Sequence, residues 1–344
     1  MHKRRPVSSH LPFTTSITAL LFIASAIASG HAEAVQRAHV SALVGLDSNT
    51  SFNCDVAHPC RFFQAATTVV DPSGEVVVLD SGGYGSVTLT KSISLTAPAG
   101  VYAGISVFPG VDGVTIATAG VSVVLRGLTI NGQGGYNGVN MTTGKKLTVE
   151  NCVISNLAGS GISVSGTAIV RVTDTTIRDN ATNGVFLQNG AQGIIIRAVI
   201  IGNVSAGVSL TGSTSSTTTA NIADTTVQGS QDGISLYSGI STAALIVSVH
   251  DSRIVRNVNS GLNAFSASGA TVSISASNNS VSNSGYGIVG TNVGTRIWAS
   301  GNTVSDNAFY GFFNNGGLFE SAGNNAVRNN GINTSGTVTA IPAI

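Results

Sequence analysis

Residues Val170 to Leu187 read Val-Arg-Val-Thr-Asp-Thr-Thr-Ile-Arg-Asp-Asn-Ala-Thr-Asn-Gly-Val-Phe-Leu. Two alternating apolar runs, Val170/Val172 and Val185/Leu187, flank a polar stretch that contains Asn180 and closes on Gly184. Apolar side chains at every second position mark strands with one buried face. Asn and Gly between them supply the bend, because both tolerate the left-handed backbone that a sharp turn needs.

The same frame recurs along the chain. Copies run from Val123 to Ile130, Leu147 to Ile154, Val170 to Ile177, Gly193 to Ile200, Ala220 to Val227, Val247 to Ile254, Ile274 to Val281, Ile297 to Val304 and Phe319 to Ala326. Their last positions form an aliphatic column of nearly constant step, longer between Ile200 and Val281 and shortest at the final step to Ala326. A glycine column follows the first eight copies: Gly138, Gly161, Gly184, Gly207, Gly233, Gly261, Gly287 and Gly311. Between the two columns stands a polar bend, with Asn180, Asn203, Asn257, Asn307 and Asn329, and with Ser230 and Ser284 as stand-ins. One such turn cannot bury its inner face alone. Turns stacked at a spacing of about 4.8 Å can, each aliphatic residue lying on its counterpart in the next turn. In that stack the Asn amides are expected to bond to one another as a ladder.

The turn length, the recurring Asn and the strand–bend–Gly–strand unit resemble the right-handed parallel β-helix proteins of the pectin-lyase-like superfamily, over roughly Glu75 to Ala326. The resemblance implies an all-β fold, a right-handed parallel β-helix (solenoid) of about 11–12 rungs with an N-terminal helical cap. It does not imply one activity, since such folds host lyases, hydrolases, epimerases and proteins without catalysis.

Composition agrees with an all-β chain. Gly contributes 42 of 344 residues and charged residues only 9%. The low charge excludes a charged coiled coil, and 42% apolar residues exclude intrinsic disorder. A formal charge of +1 gives no electrostatic footprint for nucleic acid. The segment from Met1 to Ala34 reads as a signal peptide: basic Lys3-Arg4-Arg5, an apolar run from Ile17 to Ala28, and Ala32-Glu33-Ala34 before the expected cut at Val35. Cleavage there removes Lys3, Arg4, Arg5 and Glu33 and takes the charge from +1 to −1. Export follows as an expectation, to the periplasm or the exterior, with no membrane span left in the mature chain. Residues 35–74 are expected to form the cap region and 75–344 the β-helix domain. Val40 to Val44 reads as a first strand, and Phe62, Phe63, Ala66 and Val69 stand at helical spacing after Pro59. Cys54 and Cys60 read as a disulfide, and Cys152 as a free thiol. Phe309, Tyr310, Phe312, Phe313 and Phe319 are expected to plug the final rung.

Catalytic motifs are sparse. The superfamily's hydrolases resemble one another in paired aspartates, Gly-His-Gly and Arg-x-Lys elements, and none of these occurs here. The column Asn151, Asp174, Asp224, Asp251 and Asn278 reads as turn capping. Weak catalytic candidates are Arg171, Arg197, His250 and Asp251, with Asp174 beside them. On the outward face of the strands leading each frame, Arg126, Glu150, Arg171 and Trp298 are the substrate-binding candidates. No metal site and no cofactor is expected, and calcium enters only if the protein is a lyase. Two readings stand: a secreted non-catalytic protein that contacts a polysaccharide or cell-surface glycan, and a polysaccharide lyase or epimerase acting on an acidic polysaccharide.

Overall fold

The computed structural model describes residues 1–2 and 35–341, so the expected signal segment lies outside the described residues except for Met1 and His2. Each turn of the chain contributes one strand to each of three parallel sheets. Sheet A has 13 strands, from Arg37–Val40 to Thr339–Ala340. Sheets B and C have 11 strands each. Sheet B begins at Gly82–Gly83 and sheet C at Val87–Leu89. The architecture is thus a parallel β-solenoid of about eleven turns with almost no helix, as the repeat requires.

The aliphatic column forms the spine of sheet B. Ile154, Ile177, Ile200, Val227, Ile254, Val281 and Val304 follow one another in register, and all seven have no exposed surface. The next member is Val327, not Ala326, which pairs instead with Thr303. The step from Val304 to Val327 equals the one before it, from Val281 to Val304, so the short final step to Ala326 reflects a frame set one position too early. Isoleucine and valine suit these positions because a branched Cβ packs against its copies above and below on the pleated surface.

The glycine column has a close-approach cause. A Cβ on Gly184 would lie 2.6 Å from the Gly207 carbonyl oxygen and 2.6 Å from Ile200 Cγ2. Any larger residue would force adjacent rungs apart.

The three turns between Ile200 and Val281 are longer than their neighbours. Their extra length extends the strands on both sides of the corner between sheets C and A. Ala206–Gly212, Asp232–Ser238 and Ser260–Ser266 in sheet C each have seven residues, as do their partners Thr217–Ala223, Ala244–His250 and Thr271–Ser277 in sheet A.

The N-terminal region differs in detail from expectation. The first strand is Arg37–Val40, paired with Gly74–Val78, so it meets the expected segment only at Val40. Asp80 pulls the following residues out of line: its carboxylate accepts bonds from Ser41 Oγ, from Ala42 N at 2.7 Å and from the Tyr84 hydroxyl at 2.7 Å. Cys54 and Cys60 are joined as a disulfide, with Cα atoms 5.0 Å apart. A seven-residue helix, Phe63–Val69, buries Phe63 and Ala66, and Phe63 packs on Tyr84. Phe62 stands outside this helix, 40% exposed, beneath the Arg61 guanidinium.

The aromatic residues expected to plug the last rung divide in two. Phe312 and Phe319 are inside, with ring centroids 4.8 Å apart. Phe309, Tyr310 and Phe313 lie on the outer surface with Tyr286, because strand alternation turns Phe313 away from Phe312.

Candidate functional site

The predicted binding residues lie on the outer face of sheet A, in two adjacent columns. Arg126, Glu150, Thr173, Ile196, Ala223, His250, Ser277 and Ser300 are in register in one. Thr148, Arg171, Ile194, Asn221, Ser248, Ser275, Trp298 and Glu320 form the other. Arg171 thus belongs to the column of Trp298 and not to that of Arg126 and Glu150. Five rungs separate Arg171 from Trp298, about 24 Å at the usual strand spacing. Trp298 is half-buried and Arg171 exposed. Thr148 and Thr173 stand on the same outer face but are only 6% and 7% exposed. Thr148 has Glu150 on its own strand and Arg171 on the next, both longer and on the same face.

Charges on this face are partly satisfied within the chain. Arg126 holds Glu150 through Nε at 3.0 Å and Nη2 at 2.9 Å. Arg197 holds Asp174 through two bonds of 2.7 Å. These bonds keep the Asp174 carboxyl below its ordinary pKa and raise that of Arg197. Arg171 makes no ion pair among the described residues. His250 Nδ1 lies 3.0 Å from Asp251 Oδ2.

The catalytic candidates are distributed along the stack. Arg171 and His250 stand three rungs apart and in different columns, about 14 Å along the axis. Asp174, Arg197 and Asp251 occupy the turn from sheet A to sheet B, where Asn151, Asp174, Arg197, Asp224, Asp251 and Asn278 all have φ between 48° and 55°. Asn and Asp adopt this left-handed conformation most readily among residues with a Cβ, which explains the polar column there. Among the described residues no three His, Cys, Asp or Glu side chains converge as a metal would require.

The polar bends expected to bond along the stack are buried in part. Asn180 and Asn203 are 0% exposed, and Asn257 and Asn307 are 1% exposed. Asn180 Nδ2 donates to Asn203 Oδ1 at 2.8 Å, and Asn307 Nδ2 to Asn330 Oδ1 at 2.9 Å. Between them Ser230 N donates to Asn257 Oδ1 and Asn257 N to Ser284 Oγ. Asn329 does not join: it is exposed with φ of 58°, and Asn330 takes the inward place. A second column went unread in the sequence. At the turn from sheet A to sheet B, Thr225, Ser252, Asn279, Asn302 and Asn325 each accept from the backbone of the preceding rung. Its signal was the polar residue immediately after each turn position, Asp224, Asp251, Asn278, Gly301 and Asn324. Cys152 occupies the same place, and burial pushes its thiol up to about 11.

Sequence reading missed four aromatic residues of sheet C, Phe186, Tyr237, Phe265 and Tyr286; with Tyr310 and Phe313, which it assigned to the final plug, they lie on the outer face. Tyr237 and Phe265 are stacked, with centroids 5.4 Å apart and planes 10° from parallel. The alternation after each column glycine, as in Gly184-Val-Phe and Gly311-Phe-Phe, carried that signal.

Comparison with known proteins bears on the fold. Residues 112–276 match the family described as right handed beta helix region. No curated protein sequence matches the chain. Among solved structures, pectate lyase Pel9A superposes with a TM-score of 0.63 at 16% identity, covering 86% of this chain and 79% of that one. The periplasmic alginate epimerase AlgG gives 0.57 at 14% identity, covering 80% and 76%. XylC, solved with xylose, gives 0.54 at 10% identity, covering 78% and 69%. Among the described residues no helix is long and apolar enough to cross a membrane. The chain therefore has the right-handed parallel β-helix fold that these structures share.

Proposed function

We propose that the protein is an exported β-helix that holds an acidic polysaccharide along the outer face of sheet A without cleaving it. The observation that carries this reading is the scatter of the reactive side chains. Arg197 and Asp174 are bonded to each other, and His250 stands three rungs from Arg171. General acid–base chemistry requires such groups within hydrogen-bond reach of one reacting atom. Binding does not, because an extended chain can be gripped rung by rung. Arg171 offers an exposed cation for a carboxylate, and Trp298 a ring for a sugar face. Solved relatives in fold include a pectate lyase and an alginate epimerase, which supports a polysaccharide as the partner.

The binding experiment is calorimetric titration with polygalacturonate and alginate fragments. Arg171→Ala and Trp298→Ala should each weaken binding, Arg171→Ala most at low salt. Unchanged affinity in both variants would remove sheet A as the site.

A second reading, lyase or epimerase chemistry on an acidic polysaccharide, is favoured by the contact of His250 Nδ1 with Asp251. A carboxylate that orients an imidazole is a usual support for a general base. Calcium would belong to that reading alone.

A further inference from the structure

We propose that the outer face of sheet C carries a separate binding site for a neutral glycan, seated in a notch over the strand Tyr286–Thr291. This site goes beyond the acidic-chain reading and does not depend on it.

Charge distinguishes the two faces. Asp232 is the only charged residue in the eleven strands of sheet C, and its carboxylate is occupied by Asn259 Nδ2 at 3.0 Å and Ser260 N at 3.1 Å. Sheet A, in contrast, carries Arg126, Glu150, Arg171, Arg296 and Glu320 in its strands. An acidic chain has nothing to pair with on sheet C. A neutral sugar does, because hydroxyls, amides and aromatic rings are its ordinary partners.

The rings are arranged for insertion. Tyr237 and Phe265 stack on each other, so each keeps one face free along the solenoid axis. The register places Thr211 beside the free face of Tyr237 and Thr291 beside that of Phe265. Beyond Thr291 comes Asn315 on the next rung, with Phe313 two residues before it on the same outer face. The notch therefore has Thr291 as its floor, Phe265 as one wall and Asn315 as the other; Val289 beside it is covered, and Phe313 packs at its side on Tyr286 and Tyr310. Its walls are two rungs apart, roughly 10 Å, the separation that admits one pyranose ring between facing groups. Asn263 and Ser235 add polar side chains on the preceding rungs, in register with Val289. Tyr286 and Tyr310 lie at the opposite end of the same strands, stacked at 5.6 Å, and extend the aromatic track for a chain of several sugars.

The test is calorimetric titration of the purified full chain with cellohexaose and mannohexaose, beside polygalacturonate. At least one neutral hexasaccharide should bind, and its affinity should change less than about twofold between roughly 0.05 and 0.5 M NaCl. Phe265→Ala and Phe313→Ala should each weaken it roughly tenfold and leave polygalacturonate binding unchanged. Thr291→Leu, which fills the notch and keeps every ring, should weaken it comparably, and Ser163→Ala on a distant rung of the same sheet should not. The proposal is overturned if neither neutral probe binds or if the three notch variants bind as the parent does. It is also overturned if light scattering shows a dimer that Phe265→Ala dissolves, since the face would then belong to a second copy. Loss of polygalacturonate binding alone would sink the sheet A reading and leave this one standing.

Discussion

Asn203 has no exposed surface, and its Oδ1 accepts both the backbone N–H and the side-chain amide of Asn180. Ser209, further along the same turn, points outward from sheet C. Asn203→Ala leaves those donors unpaired and should cost about 1–3 kcal/mol. Ser209→Ala should stay within about 0.5 kcal/mol. Urea midpoints of the two variants measure the difference, and equal midpoints would refute this account of the bend. A substitution in the opposite direction is available further along the same column. Asn257 Nδ2 and Ser230 Oγ are buried without a hydrogen-bond partner. Ser284→Asn places an amide oxygen where Asn203 supplies one to Asn180, so it should satisfy Asn257 and stabilise by about 1 kcal/mol. A lowered urea midpoint would show that the longer side chain does not fit. At this scale the sequence was legible wherever one residue type filled a column. It failed where two asparagines stand together, because Asn329 and Asn330 carry the same chemistry and only the stacking decides which turns inward.

Strands and bends were read from alternation, which explains both the success in the repeats and the failure at the N-terminus. Val40 to Val44 alternates poorly, and Asp80, distant in sequence, ends that strand by drawing off its donors. No local pattern announces such a contact. The same region should make stability depend on pH. Burial keeps His39 below its ordinary value of 6.5; Arg37 adds to this, and the Cys54 carbonyl, Asp55 and Glu75 oppose it. Its Nδ1 has no partner. The unfolded chain thus binds a proton that the folded chain resists, and stability falls as pH drops through 6.5. Asp80 acts in the same direction at lower pH. Burial opposes its ionisation, but bonds from Ser41, Tyr84 and the Ala42 amide outweigh this and hold it below 3.8. Its contribution is complete above that value and is lost as pH falls through the folded pKa. The melting midpoint should therefore be lower at about pH 5 than at about pH 7.5, and His39→Gln should flatten that interval. An unchanged slope in His39→Gln would show that another group carries it.

For the molecule as a whole, the repeat made the fold legible and left the site obscure, for a physical reason. Every turn repeats the residues that face inward, since each must fit its neighbours at the same spacing. Outward residues answer to no such rule, so Arg171, Trp298, Phe265 and Phe313 occur once each and form no pattern until the register aligns them. Register also separates two faces of different character, one charged and one neutral and aromatic. The central claim is that this solenoid grips a polysaccharide and does not break it. The measurement that tests it most directly is incubation with polygalacturonate and alginate at concentrations where calorimetry shows binding, with continuous reading of the ultraviolet absorbance of unsaturated chain ends. The account predicts a flat trace, with and without added calcium, beside binding that Arg171→Ala weakens. A rising trace that His250→Ala abolishes would contradict it.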